Sequence, residues 1–278
     1  MRMMELRLSR DKPSLGQSVA VVILGRLSPY VFHLLRRTPL VGDAMLRLID
    51  LLIPLTTLRS VRVRAGQLEG LVMDMYPHAL DMAIGRHEPM VADLIESHLS
   101  EGDIAFDIGA NVGYFTLLMA RCVGSTGRVV AFEPDPLVAG YLRGNVARNR
   151  DRLGATIETV NAAVGGRSES RPFTPGSRIS RGRLGSEPGP LMVDVLTLGD
   201  AIESYGTPQF IKIDVEGAES ELLEGAADCL ATLRSSIIIE AHSEQLERRC
   251  LDLLRRSGFH CRRLRQRGTK ETYILATK

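Results

Sequence analysis

Apolar positions along this chain fall into two alternating patterns. Short unbroken runs read as strands at Ile104–Phe106, Arg128–Phe132, Thr156–Ala163, Leu191–Val195, Phe210–Ile213 and Ser236–Glu240. Between them apolar residues recur every three or four positions, as one face of a helix requires. Phe115, Leu118, Met119 and Cys122 form one such stripe, and Ala218, Leu222, Ala226 and Leu230 another. A third (Leu246, Cys250, Leu253, Leu254) lies in a predicted helix from Glu244 to Arg256 that Gly258 stops. Asp135 is placed to cap a helix reaching about Asn149, and Thr197 one reaching Tyr205. Upstream, Val61–Met75 alternates as a hairpin with Gly66 and Gly70 in its turns, and Pro89 opens a helix over Met90–Leu99. Phe259–Leu264 and Thr272–Ala276 pair as a closing hairpin. Strands alternating with helices and ending in an antiparallel pair predict an α/β fold, a doubly wound and mostly parallel sheet.

Two stretches depart from this rhythm. Residues 165–190, GGRSESRPFTPGSRISRGRLGSEPGP, carry too much Gly, Ser and Pro to predict a packed element. Arg167, Arg171, Arg178, Arg181 and Arg183 outnumber Glu169 and Glu187 there. Two readings stand: a mobile lid over an acceptor pocket, or a disordered surface insertion. Residues 1–59 are expected to form a helical extension to a domain spanning 60–278. Within it Leu40, Val41, Ala44, Met45, Leu48, Ile49 and Leu52 make a helical stripe, with Arg26, Arg36, Arg37 and Arg59 nearby. A peripheral membrane contact through residues 40–55, a cap on the core and a homodimer contact all fit that pattern. The basic N-terminus lacks a secretory signal, and the run Val19–Leu24 is too short to span a bilayer.

The chemistry gathers where strands end. Residues 105–135, AFDIGANVGYFTLLMARCVGSTGRVVAFEPD, read strand, glycine turn, helix, strand, with Asp107 closing the first strand and Glu133 the second. Gly109, Asn111 and Gly113 let the backbone bend sharply and approach a ligand. A crevice of this kind holds a nucleoside, with Glu133 accepting from both ribose hydroxyls. The dinucleotide fingerprint is missing, because Asn111 and Tyr114 stand where glycines are needed. Asp107 would repel a pyrophosphate but suits a cationic amino group, which points to S-adenosylmethionine (SAM). Further on, Phe210–Ile213 delivers Asp214 and Glu216 to the same sheet edge, and Ser236–Glu240 delivers Glu240 and His242. Asp214 can orient or deprotonate an acceptor hydroxyl, and His242 can serve as a base near neutral pH. Asp214 with Glu240 can instead hold a hard divalent cation. The alternative for Glu240 and His242 is a capped start to the following helix.

DIGANVGYF, FEPDP and IKIDVEGAE, in this order and spacing, together with the HEP of His87–Pro89, resemble the FkbM-type family of SAM-dependent methyltransferases. The likeness runs from about Gly85 to the C-terminus. It implies the strand order of class I methyltransferases and a cofactor set of Glu88, Asp107, Gly109, Asn111, Gly113, Phe115, Thr116, Glu133, Pro134, Asn161 and Ala162. Glu88 has a competing reading as an acid favoured by a helix N-terminus. The likeness also implies O-methylation of a sugar, glycolipid or secondary metabolite, with Asp214 at the reacting end. One departure is Gly199, with Asp200 a residue later, where the family often has aspartate directly after the leucine. Asp214-Val215-Glu216-Gly217 replaces the Asn/Asp-Pro-Pro-aromatic stretch of nucleobase methyltransferases, which points away from a nucleic-acid acceptor. Two rival functions are a nicotinamide-dependent oxidoreductase and a non-catalytic, membrane-associated SAM-binding protein.

Composition changes this picture little. With 278 residues the chain can bury a full core, and a formal net charge of +2 decides nothing about nucleic acid. The four cysteines, Cys122, Cys229, Cys250 and Cys261, lack metal-ligand spacing. They read as buried free thiols of a reducing compartment, hence a cytoplasmic location.

Overall fold

A computed structural model describes residues 58–75, 80–83, 85, 87–176, 182–185, 189–265 and 272–278. The stripe expected over residues 40–55 lies outside the described residues. The first described element is a strand, β1 (Leu58–Arg62), paired antiparallel with β2 (Val72–Met75) as the predicted hairpin. Two helices follow, α1 (Leu80–Ala83) and α2 (Pro89–His98).

The central repeat is β3 (Ile104–Ile108), α3 (Tyr114–Val123), β4 (Arg128–Phe132), α4 (Pro136–Leu153) and β5 (Thr156–Val160). Asp135 caps α4 as expected, its carboxylate accepting from the Leu137 and Val138 amides. The chain next forms β6 (Ala163–Gly165), β7 (Glu169–Thr174), β8 (Arg183–Leu184) and β9 (Leu191–Thr197). It returns to the main sheet through α5 (Leu198–Tyr205) and β10 (Phe210–Ile213). The remainder is α6 (Glu219–Gly225), α7 (Ala227–Thr232), β11 (Ser236–Ala241), α8 (Glu244–Arg256), β12 (His260–Arg265) and β13 (Thr272–Thr277).

Seven strands make one sheet in the order β12-β13-β11-β10-β3-β4-β5, parallel except for β13. Both faces are covered, which is why Ile237-Ile238-Ile239 is apolar without alternation. Ile237 and Ile239 pack with Phe106, Leu222 and Leu254 on one face, while Ile238 and Phe210 pack with Ile95 and Leu118 on the other. Burying each such side chain contributes about 1.5–3 kcal/mol. From β3 the chain winds to β4 and β5 on one side, then crosses over to β10 and β11 on the other. The carboxyl ends of β3 and β10 therefore border the crevice where the winding reverses.

The hairpin is held to α4 by two asparagines with no exposed surface. Asn145 accepts from the Asp74 amide (2.6 Å) and donates to the Asp74 and Val112 carbonyls (2.9 and 2.8 Å). Asn149 brackets Val72 in the same way. The two side chains satisfy backbone groups on the edge of β2 that a neighbouring strand would otherwise pair.

Three expectations need correction. Residues 165–190 do support packed structure. β7 pairs antiparallel with β9 and β8, and β6 parallel with β9, giving a second sheet ordered β6-β9-β7-β8. Phe173 supplies its core from within that stretch, where the Gly-Ser-Pro composition masks it, and Val193 and Val195 supply it from alternate positions of β9, the strand expected over Leu191–Val195. Residues 177–181 and 186–188 are outside the described residues. The strand expected over Thr156–Ala163 breaks at Asn161 into β5 and β6, which belong to different sheets. The helix expected over Ala218–Leu230 divides at Ala226 into α6 and α7, although Leu222, Ala226 and Leu230 all face the core. The four thiols are unpaired, but only Cys250 is fully buried.

Candidate active site

The glycine turn after β3 is shaped by its contact with β10. Gly109 has a φ of +79°, and a Cβ there would lie 1.8 Å from the Asp214 carbonyl oxygen. Asn111 follows at φ +52° and donates its amide to Glu133 Oε2 at 2.9 Å. The other carboxylate oxygen of Glu133 accepts from the Asp135 amide, also at 2.9 Å. Burial pushes the Glu133 carboxyl up to about 7, against the pull of those two amides. Asn161 Nδ2 donates to the Glu133 and Pro134 carbonyls (2.9 Å each), tying this loop to the end of β5.

A cleft runs from this loop to the end of β10. Of the predicted cofactor set, Gly109, Asn111, Glu133 and Pro134 line it; so do Asp214 and Glu216. Phe173, Gly182 and Leu184 border it as well, so the second sheet flanks the cleft. Glu88, Asp107, Gly113, Phe115, Thr116, Asn161 and Ala162 do not, nor do Glu240 and His242. Asp107 is 1% exposed, with Oδ2 accepting from Thr116 Oγ1 at 2.6 Å. Burial raises its carboxyl pKa, and a neighbouring lysine moderates the effect.

That lysine, Lys212, was not singled out by sequence reasoning. It lies in β10 on the same face as Phe210 and is 5% exposed. Its Nζ is 3.3 Å from Asp214 Oδ2, 3.8 Å from Asp107 Oδ1 and 5.2 Å from the Phe115 ring centroid. Burial alone would lower its pKa, but Asp214, Asp107, Glu88 and Glu240 together hold it above the ordinary lysine range. Lys212 thus joins the acid at the end of β3 to the acid at the end of β10. The available signal was a charged residue inside an apolar run.

Beyond Asp214 the chain turns through Glu216, in the left-handed region at φ +51°, into α6. His242 meets this turn from the end of β11. Its Nδ1 is 2.6 Å from Glu219 Oε1, and its Nε2 is 3.4 Å from Glu216 Oε2, 3.6 Å from Asp214 Oδ1 and 3.9 Å from Glu240 Oε1. Glu219, a second residue sequence reasoning passed over, has a fully buried side chain. Burial would lower the His242 pKa, but the Glu219 bond and the surrounding carboxylates push it up to about 9. Glu240 is pushed up to about 9 by burial and then by Asp214.

Glu88 is the N-cap of α2 but makes no side-chain cap. Its carboxylate accepts instead from Tyr273 Oη at 3.1 Å and lies 3.4 Å from His87 Nε2. Burial raises its pKa. Asp200, displaced by one residue from the family position, completes a capping box with Thr197 at the start of α5.

Comparison with known proteins bears on the family and the fold. The chain is 28% identical over 163 residues to the hexuronic acid methyltransferase AglP of Haloferax volcanii, covering 57% of this chain and 64% of that protein. It is also 28% identical over 175 residues to the 31-O-demethyl-FK506 methyltransferase FkbM of Streptomyces tacrolimicus, covering 52% and 67%. The fold is similar to that of the crystal structure of methyltransferase FkbM from Methylobacillus flagellatus (TM-score 0.50, 19% identity, 72% of this chain and 53% of that one). Among the described residues no helix is long and apolar enough to cross a membrane. The model of the FkbM methyltransferase domain matches residues 107–270, more than half of the chain and both arms of the cleft, and the chain belongs to that family.

Proposed function

We propose that this chain is a SAM-dependent O-methyltransferase acting on a hydroxyl of a sugar, glycolipid or secondary metabolite. One observation carries the reading: a single cleft joins Glu133, beside the glycine turn, to Asp214 and Glu216 at the end of β10. The residues present fit the cofactor. Each Glu133 oxygen accepts one backbone amide and keeps lone-pair capacity for a further donor, as a ribose diol would supply. Gly109 leaves space where a side chain would collide.

SAM supplies, when bound, an electrophilic methyl group on a sulfonium. Glu133 and the Asn111 turn fix the nucleoside end, and Asp214 orients the acceptor hydroxyl and takes its proton. As that O–H bond breaks, the oxygen forms the new O–C bond, and the electron pair of the broken S–C bond stays on sulfur. Lys212 holds the Asp214 carboxylate in place from below. The names of AglP and FkbM, a hexuronic acid and a 31-O-demethyl compound, support a hydroxyl acceptor. Calorimetric titration with SAM and separately with NAD, followed by mass spectrometry of polar extracts incubated with SAM, tests the reading. SAM binding without NAD binding and a product heavier by one methyl group are expected. A chain that binds NAD and not SAM would be an oxidoreductase.

A further inference from the structure

We propose that Asp214, Glu240 and His242 hold a divalent cation where β10 and β11 end, beside the cleft that Asp214 lines, with Glu219 as the positioning residue for the imidazole. The inference rests on the methyltransferase reading for what the cation does, and on side-chain geometry for where it binds. Each of the three residues offers one ligand atom, and these atoms lie within 4.8 Å of one another. Ligand atoms at about 2.1 Å from a metal stand about 3.0–3.4 Å apart, as octahedral and tetrahedral geometry require. His242 Nε2 stands 3.6 Å from Asp214 Oδ1 and 3.9 Å from Glu240 Oε1, within about half an ångström of closing around an ion. Both exceed ordinary N–H···O hydrogen-bond length.

Glu219 supplies a separate observation from outside the ligand set. Its side chain has no exposed surface, and among the described residues its Oε2 has no hydrogen-bond partner. Its Oε1 accepts from the Gly217 amide (2.9 Å) and from His242 Nδ1. A carboxylate on Nδ1 fixes the tautomer with its proton there and turns the Nε2 lone pair towards the acids. Carboxylates hold metal-binding histidines in this way. The carboxylates that converge on Nε2 favour a cation among them by Coulombic attraction. Lys212, lodged between Asp214 and Asp107, neutralises only part of the charge.

Two carboxylates and one imidazole, without a thiolate, suit Mn²⁺ or Mg²⁺ better than a soft metal. A divalent charge beside the acceptor hydroxyl lowers that hydroxyl's pKa.

The test uses the full chain, stripped with EDTA, dialysed and titrated with Mn²⁺ alone while free Mn²⁺ is followed by electron paramagnetic resonance. One saturable Mn²⁺ per chain is expected. Glu219→Gln, folded by circular dichroism, should bind it about 10–100-fold more weakly with SAM affinity unchanged, and Glu240→Gln should abolish the site. The proposal is overturned if the wild type shows no saturable Mn²⁺ binding, or if both variants bind Mn²⁺ as tightly as the wild type. Absent Mn²⁺ binding, together with SAM binding and methyl transfer in EDTA, would remove the cation and leave the methyltransferase reading standing. Saturable Mn²⁺ binding without SAM binding would do the reverse.

Discussion

Glu133 shows how a single side chain serves two masters. Its oxygens hold the Asn111 and Asp135 amides, so Glu133→Ala orphans two backbone donors besides removing the ribose acceptor. SAM affinity should fall by about 2–3 kcal/mol, with a lower melting temperature; a folded variant that binds SAM with wild-type affinity in the calorimeter would refute the assignment. The raised carboxyl pKa of about 7 also sets a pH dependence. Ribose hydroxyls donate to the ionised form, so SAM affinity should rise by up to about tenfold per pH unit below 7 and level off above it. For folding the sign is opposite. The native state binds this proton more tightly than the unfolded chain, so the contribution to stability is lost as pH rises from the ordinary 4.5 through about 7. Calorimetry at pH 5.5 and 8 checks the binding half, and a flat profile counts against Glu133. Asp107, Glu133 and Asp214 were legible because each follows an apolar strand run. Lys212 and Glu219 were not, because a charge is accepted in the core only when partners reach it, and Asp107 comes from another strand.

At the scale of elements, β3, α3, β4, β10 and β11 could be read from apolar spacing, since a covered parallel sheet leaves long unbroken runs. Of the second sheet β9 could be read as well, from Leu191–Val195, but β7 and β8 could not, because their core rests on few side chains in a stretch dominated by Gly, Ser and Arg. The glycines of the two βα units make contrasting predictions. Gly109→Ala places a Cβ against the Asp214 carbonyl at a φ of +79°, and the strained left-handed backbone alone costs about 1–2 kcal/mol. The protein should melt markedly lower and lose SAM binding. Gly140, exposed within α4 and with nothing among the described residues within 4 Å of its Cβ position, is the control. Gly140→Ala should stabilise by about 0.5–1 kcal/mol, seen as a higher melting temperature with SAM affinity unchanged. Equal melting temperatures for the two variants would show that the turn is not the rigid cradle described above.

For the whole molecule, the strand order followed from family likeness rather than from any pattern in the residues. Periodicity identifies strands but does not rank them across a sheet. What the assembled fold adds is adjacency: crossing from β5 to β10 sets the Glu133 loop and the Asp214 turn at two ends of one cleft. The account stands on those two ends working together in methyl transfer. Its most direct test follows radiolabelled methyl from SAM into a polar lipid and glycan extract, with wild type and Asp214→Asn at saturating SAM. The wild type should label an O-methylated product. Asp214→Asn should bind SAM with near wild-type affinity yet transfer label about 10²–10⁴-fold more slowly. Transfer by Asp214→Asn at the wild-type rate would contradict the account.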